Sequence, residues 1–215
     1  MSIAIQDLGF RNYKATWDFQ KHLQREVIAG NSDDTLLLVE HDPVYTLGKN
    51  ADDDHLLQNV PKDVKVFHVE RGGDIAFHGP GQLVGYPILD LHRYRKSVHW
   101  YMRSLEQMII QTLDIFDIEA DVKEGLTGVW VGDEKIAALG VRISRWVTMH
   151  GFAINVHPDL SYYDGIIPCG IFEYGVTSME KLLGMPIKME AVKAEVENHF
   201  NSIFNQERIM EISHA

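Results

Sequence analysis

Apolar residues recur at helical spacing in three stretches of the chain. Val98, Tyr101, Leu105, Met108, Ile109, Thr112 and Phe116 fall on one face, and Ser97 stands where its hydroxyl can cap the first turn. Ala15, Phe19, Leu23 and Val27 form a second stripe, which Gly30 is placed to end. Val192, Val196, Phe200 and Phe204 form a third near the C-terminus. Between them lie strand-like runs rich in Leu, Val and Ile, at Thr35 to Glu40, Val64 to Val69 and Leu83 to Leu91. Val129 to Val131 and Ile136 to Ile143 flank Gly132-Asp133-Glu134, which reads as a hairpin turn. Trp146 to Val156 follows as a further strand, with a break expected at Gly151. Strands follow one another without strict alternation with helices, so the pattern predicts an α+β fold with helices on one face of a sheet.

No repeat, low-complexity tract or linker interrupts the 215 residues, and a single domain over 1-215 is expected. An apolar fraction of 45% and a charged fraction of 24% suit an ordinary globular core. No apolar run approaches the roughly 20 residues of a membrane helix, and the N-terminus lacks the pattern of a secretory signal. One cysteine, Cys169, excludes an internal disulfide and fits a reducing cytoplasm. The net charge of −11 argues against nucleic-acid binding. An acidic partner would need a local basic patch, for which His92-Arg93-Tyr94-Arg95-Lys96 and the pair Arg142 and Arg145 are candidates. Nothing in the chain demands more than a monomer.

Residues 71–88 change the picture most. Arg71, Gly72, Gly73, Asp74, Ile75, Ala76, Phe77 and His78 lead into Gly79-Pro80-Gly81-Gln82, with Gly85 and Tyr86 beyond. Glycine is entropically costly to fix, so this density marks either tight turns or a backbone that a ligand approaches closely. Neither the dinucleotide nor the P-loop pattern is present, so nucleotide binding is not implied. Two other segments carry reactive groups. Lys135 opens a strand of small and apolar residues, and reads either as a solvated hairpin-edge cation or as an ammonium beside an apolar ligand. Cys169 lies within Pro168-Cys169-Gly170, and reads either as a small buried residue or as a presented nucleophile. No cluster has metal-ligand spacing, and the scattered histidines read mostly as surface or structural groups.

Taken together these segments resemble the octanoyl-[acyl carrier protein]:protein octanoyltransferases of lipoate biosynthesis. The family's Arg-Gly-Gly signature with His-Gly-Pro-Gly-Gln and Tyr is matched from Arg71 to Tyr86. Its lysine segment is similar to Lys135-Ile136-Ala137-Ala138-Leu139-Gly140-Val141, and its His-Gly element to His150-Gly151-Phe152-Ala153-Ile154-Asn155. Pro168-Cys169-Gly170, followed by Val176-Thr177-Ser178, completes the match. One position departs: the family's threonine in the glycine loop is Ala76 here.

The resemblance implies the lipoate/biotin protein ligase fold, a mixed and mostly antiparallel sheet packed with helices. It implies an octanoyl donor on acyl carrier protein, and acceptor lysines on lipoyl domains of 2-oxoacid dehydrogenases and the glycine cleavage H protein. No cofactor is implied. Cys169 would carry the acyl thioester and Lys135 would assist it. Arg71 to His78, Ala138, Leu139, Gly140, Gly151, Phe152 and Ala153 would line the substrate site. An ATP-dependent lipoate-protein ligase and a non-catalytic acyl-protein binding module are the alternative readings.

Overall fold

The computed structural model describes residues 3–57, 60–61, 64–166 and 174–208. In chain order the strands are β1 (Ala4–Arg11), β2 (Thr35–His41), β3 (Val44–Leu47), β4 (Lys65–His68), β5 (Ile75–His78), β6 (Gln82–Ile88), β7 (Val129–Val131), β8 (Glu134–Ser144), β9 (Val147–Asn155) and β10 (Gly175–Val176). The helices are α1 (Tyr13–Ala29), α2 (Val98–Asp114), α3 (Met179–Leu183) and α4 (Met189–Gln206). The main sheet runs β1-β2-β6-β9-β8-β10, with β7 also paired to β8, and a smaller sheet runs β4-β3-β5. β1 is parallel to β2, and β10 to β8, while the central pairs are antiparallel.

The capping residues act as expected. Ser97 accepts from the Trp100 amide at 3.2 Å, and Gly30 closes α1 in the left-handed conformation at φ +77°. The third stripe is the buried face of α4. The second is only partly the buried face of α1: Leu23 and Val27 are buried, but Phe19 is half-buried and Ala15 exposed, and Tyr13, Thr16, Trp17 and Gln20 turn inward instead. α2 stops at Asp114, short of Phe116, which packs on the same core after the helix has ended.

Two further expectations are corrected. Helices cover both faces of the main sheet. Leu36 and Leu38 of β2 join Leu83, Phe152 and Ile154 in a core under α2 and α4. Leu37 and Val39 point the other way, with Val84, Met149 and Ala153, against Tyr13, Trp17, Leu23 and Val27 of α1. A strand apolar at every position is what burial on two faces requires. The second correction concerns Gly151, which does not break β9. The β8–β9 register runs without interruption from Ala137↔Ile154 to Ser144↔Val147. Glycine is needed there for packing, because a Cβ would lie 2.2 Å from the carbonyl oxygen of Gly85 on β6.

α1 is fixed to the sheet by polar contacts as well as apolar ones. Gln20 Oε1 accepts from the His150 amide at 3.0 Å, and Gln24 Nε2 donates to the Val147 carbonyl at 2.9 Å. This sets the start of α1, and Tyr13 with it, over the middle of the sheet beside the glycine-rich segment. Among the described residues no helix is long and apolar enough to cross a membrane.

Candidate active site

The glycine-rich segment is stitched into place from both sides. Lys49 N donates to Arg71 O at 3.0 Å and Gly48 N to Asp74 O at 3.1 Å, while Gly72 N donates to Val141 O of β8 at 2.9 Å. Arg71, 7% exposed, locks this arrangement. Its Nη1 donates to the carbonyls of Gly72 (3.1 Å) and Asp74 (2.9 Å), and its Nη2 to the carbonyl (2.7 Å) and hydroxyl (2.8 Å) of Thr46. The fixed fork of a guanidinium can satisfy four acceptors at once. Gly140 lies beneath, where a Cβ would come within 3.0 Å of Gly72 O and 3.1 Å of Arg71 Cδ.

Between this loop, α1 and the sheet lies a cavity of about 510 Å³. Of the residues expected from the sequence, Arg71, Gly73, Asp74, Ile75, Ala76, His78, Lys135, Ala138, Leu139, Gly140, Gly151, Phe152 and Ala153 border it. The two triplets face each other across β8 and β9, as Ala138↔Ala153, Leu139↔Phe152 and Gly140↔Gly151. Strand alternation divides them. Leu139 and Phe152 pack with the core under α2 and α4, on the opposite face of the strands from Ala153, and still border the cavity. Gly72 does not border the cavity, and neither does Phe77, whose ring is in the small-sheet core, stacked on Tyr162 at 4.8 Å. Ala76 does border it, directly opposite Thr46 in the β3–β5 register.

Lys135 is 8% exposed, so the picture of a solvated edge cation does not hold. Its ammonium sits 4.7 Å from the centre of the Trp130 ring on β7, and its backbone carbonyl accepts from Thr177 N beyond β10 at 3.0 Å. The aromatic face offsets part of the cost of burying the charge. Pro168, Cys169 and Gly170 lie outside the described residues. Of the basic groups considered as patches, Arg93 is paired to Asp34 and Asp90, and Arg142 to Glu70.

Several groups at the site carried no motif in the sequence. Tyr13 borders the cavity, its ring stacked 5.9 Å from His78 and edge-on to His41 at 5.3 Å. His41, His78 and His150 are all buried. Burial pushes His41 down to about 4 against the effect of its bond to Arg11 O, and pushes His78 down to about 3 with help from His41 and Arg71. Burial likewise lowers His150, opposed by Glu70. Glu70 is itself held down to about 2, first by His150 and then by Lys21 and Arg142, despite some desolvation. At the cavity mouth His55 Nδ1 meets Asp74 Oδ2 at 2.6 Å.

The three neutral histidines set a pH dependence. Their folded values lie below the unfolded value near 6.5, so the stability they confer is complete above that pH and declines as pH falls towards 4 and 3. Glu70 adds a loss that begins only near 4.5 and runs to about 2. We therefore expect the urea midpoint to fall already between pH 6.5 and 5, above the carboxylate range, as the unfolding free energy drops by up to about 1.4 kcal/mol per pH unit for each extra proton that the unfolded chain binds. A midpoint constant across that window would contradict neutral burial.

This fold and cavity correspond to a known class. Residues 12–201 match the sequence model of the lipoyl protein ligase A/B catalytic domain, and the chain belongs to that family. The fold recurs in lipoate-protein ligase A bound with ATP (TM-score 0.75, 15% identity, covering 95% of this chain and 86% of that one). It recurs also in the biotin protein ligase of Aquifex aeolicus with biotin and ATP (TM-score 0.58, 14% identity, 95% and 72%). Within the family, similar curated proteins are named octanoyltransferase. That of Flavobacterium johnsoniae is 46% identical over 226 residues, covering 95% of this chain and 97% of the relative. That of Gloeobacter violaceus is 51% identical over 164 residues, covering 76% and 73%.

Proposed function

We propose that the protein is an octanoyltransferase that moves an octanoyl group from the thioester of acyl carrier protein to the target lysine of a lipoyl domain. The observation that carries the reading is the convergence of the glycine loop, the two small-residue triplets and the buried Lys135 on one cavity of about 510 Å³. Each methylene of an eight-carbon chain buried there contributes roughly 0.8 kcal/mol. The whole chain is read as one catalytic domain working in the cytoplasm as a monomer.

The chemistry divides into two steps. A thiol of ordinary pKa near 8.5 is a few per cent thiolate at neutral pH, and a neighbouring ammonium raises that fraction. Cys169 thiolate attacks the donor carbonyl, the carrier thiolate leaves, and Lys135 gives it a proton. Lys135, now neutral, removes one proton from the incoming lysine ammonium. The amine then forms the amide bond as the C–S bond breaks, and its second proton passes to the departing Cys169 thiolate. Release of one proton to solvent restores the starting state.

Intact-protein mass spectrometry with octanoyl-loaded carrier protein, in the absence of ATP, tests this. One octanoyl adduct on the wild type, cleaved by hydroxylamine and absent in Cys169→Ser, is expected. Product formed only from free octanoate and ATP would make the protein a ligase instead. No adduct and no product under either condition would leave an acyl-protein binding module.

A further inference from the structure

A chain of buried amides runs from the backbone beyond β10 to the cavity, and its direction is fixed at one end. The carbonyl of Thr177 can only accept, so the Asn155 atom 3.0 Å from it must be Nδ2. Asn155 therefore turns Oδ1 toward its β6 partner, Gln82, whose Nε2 lies 2.9 Å away and must be the donor. Tyr163 obeys the same polarity, accepting from Gln82 Nε2 at 3.1 Å and donating to Asn155 Oδ1 at 3.1 Å. Gln82 is thus left with Oε1 facing His78 Nδ1 at 2.8 Å, so that nitrogen carries the proton. With Nδ1 committed to Gln82, the ring nitrogen left for the cavity that His78 borders is Nε2, with its lone pair bare.

The neighbouring rings do not change this outcome. His41 donates from Nδ1 to the Arg11 carbonyl at 2.8 Å, and its Nε2 accepts from the Tyr86 hydroxyl at 2.9 Å, so it has no proton to offer His78. Tyr13 covers a face of the His78 ring, stacked at 10°, which leaves the ring edge for contact. His78 also stays uncharged across the neutral range, as described above.

A bare lone pair is the wrong partner for an acyl thioester, whose polar atom is a carbonyl oxygen that also only accepts. It suits an N–H donor. In the reaction proposed above, on which this inference rests, two N–H donors come to the reacting group, the Lys135 ammonium, which lies against Trp130, and the incoming lysine amine, which brings no partner of its own. We propose that the Thr177–Asn155–Gln82 chain holds His78 in its Nδ1–H tautomer, so that Nε2 accepts a hydrogen bond from the attacking amine and restricts its orientation in the cavity. His78 then orients the nucleophile while Lys135 and the leaving thiolate take the protons. Gln82 acts through His78 and is a positioning residue.

The tautomer can be read directly on the full chain. Long-range ¹H–¹⁵N correlation of histidine-labelled protein at pH 7, with His78→Phe for assignment, is expected to show His78 protonated at Nδ1 and bare at Nε2. Gln82→Met should abolish that pattern. An Nε2–H or doubly protonated ring in the wild type overturns the proposal, and assignment through the backbone of the wild type keeps this arm independent of whether a variant folds. The second arm times the two half-reactions separately by intact mass. In Gln82→Met and His78→Phe, transfer to a lipoyl domain is expected to fall about 10- to 100-fold, and more than octanoyl loading does. Loading slowed as much as transfer, or neither step slowed, would sink the assignment. A wild type that never acquires the octanoyl mass would instead refute the transferase reading itself.

Discussion

Lys135→Ala is expected to slow octanoyl loading and octanoyl transfer together, each by about 10²–10⁴-fold, the range that one positioned proton-transfer group supplies. In the mechanism proposed above, loading suffers because Cys169 would lose the ammonium that favours its thiolate and protonates the departing carrier. Transfer suffers because nothing then deprotonates the incoming lysine, whose pKa near 10.4 keeps almost all of it unreactive at neutral pH. The fold should survive. The variant gives up a cation–ring contact with Trp130 at 4.7 Å and enlarges a cavity already present, a loss of about 1 kcal/mol. Single-turnover mass spectrometry of each step, beside a thermal melt, separates these effects. Loss of transfer alone would confine Lys135 to the second step, and unchanged rates in both would remove it from the mechanism.

Arg71→Ala should act by a different route and cost about 3–5 kcal/mol of stability. The four acceptors that Arg71 holds include three backbone carbonyls, at Gly72, Asp74 and Thr46, enclosed where the two sheets meet. Removing the guanidinium leaves them unpaired, and a buried acceptor without a partner costs about 1–3 kcal/mol. Arg71→Lys should recover little, since one ammonium cannot span the same set. Urea unfolding followed by tryptophan fluorescence should show a lower midpoint at similar slope. A wild-type midpoint with activity lost would recast Arg71 as a group that contacts substrate rather than a strut for the loop.

Much of this was legible in the chain, and what was not has physical reasons. The stripes of α2 and α4 stood out because each helix buries one face, although Val98 at the start of α2 is exposed. The α1 stripe was partly misdrawn because its buried face mixes polar Thr16, Gln20 and Gln24 with Tyr13, Trp17, Leu23 and Val27. β3 and β5 are four residues each, too short for any period to show beside Gly and Pro. β1 is a half-exposed edge whose Ala4-Ile5-Gln6-Asp7 pattern is broken by Gly9, and its register with β2 shifts between Asp7 and Phe10. The placing of helices on both faces was encoded in the unbroken Leu36-Leu37-Leu38-Val39 run, which reads equally well as a strand half as buried.

The site divides along the same line. Residues carried by contiguous motifs, such as Ala138 to Gly140 and Gly151 to Ala153, were named through the family resemblance, and they border the cavity. Tyr13, His41 and Glu70 come from separate elements and meet through tertiary packing, so no local signal marks them. Gln82 and Asn155 were visible as members of two motifs, but their partnership is a matter of strand register. Lys135 was ambiguous because burial of a strand-end lysine depends on Trp130 and on β10, which follows 40 residues later.

The placing of Leu139 and Phe152 in the core under α2 and α4 has an engineering consequence. Both strands that carry the cavity wall rest from behind on the side chains that pack against α2 and α4. Repacking that hydrophobic layer is therefore a route to changing the depth of the chamber without replacing the polar groups that border it.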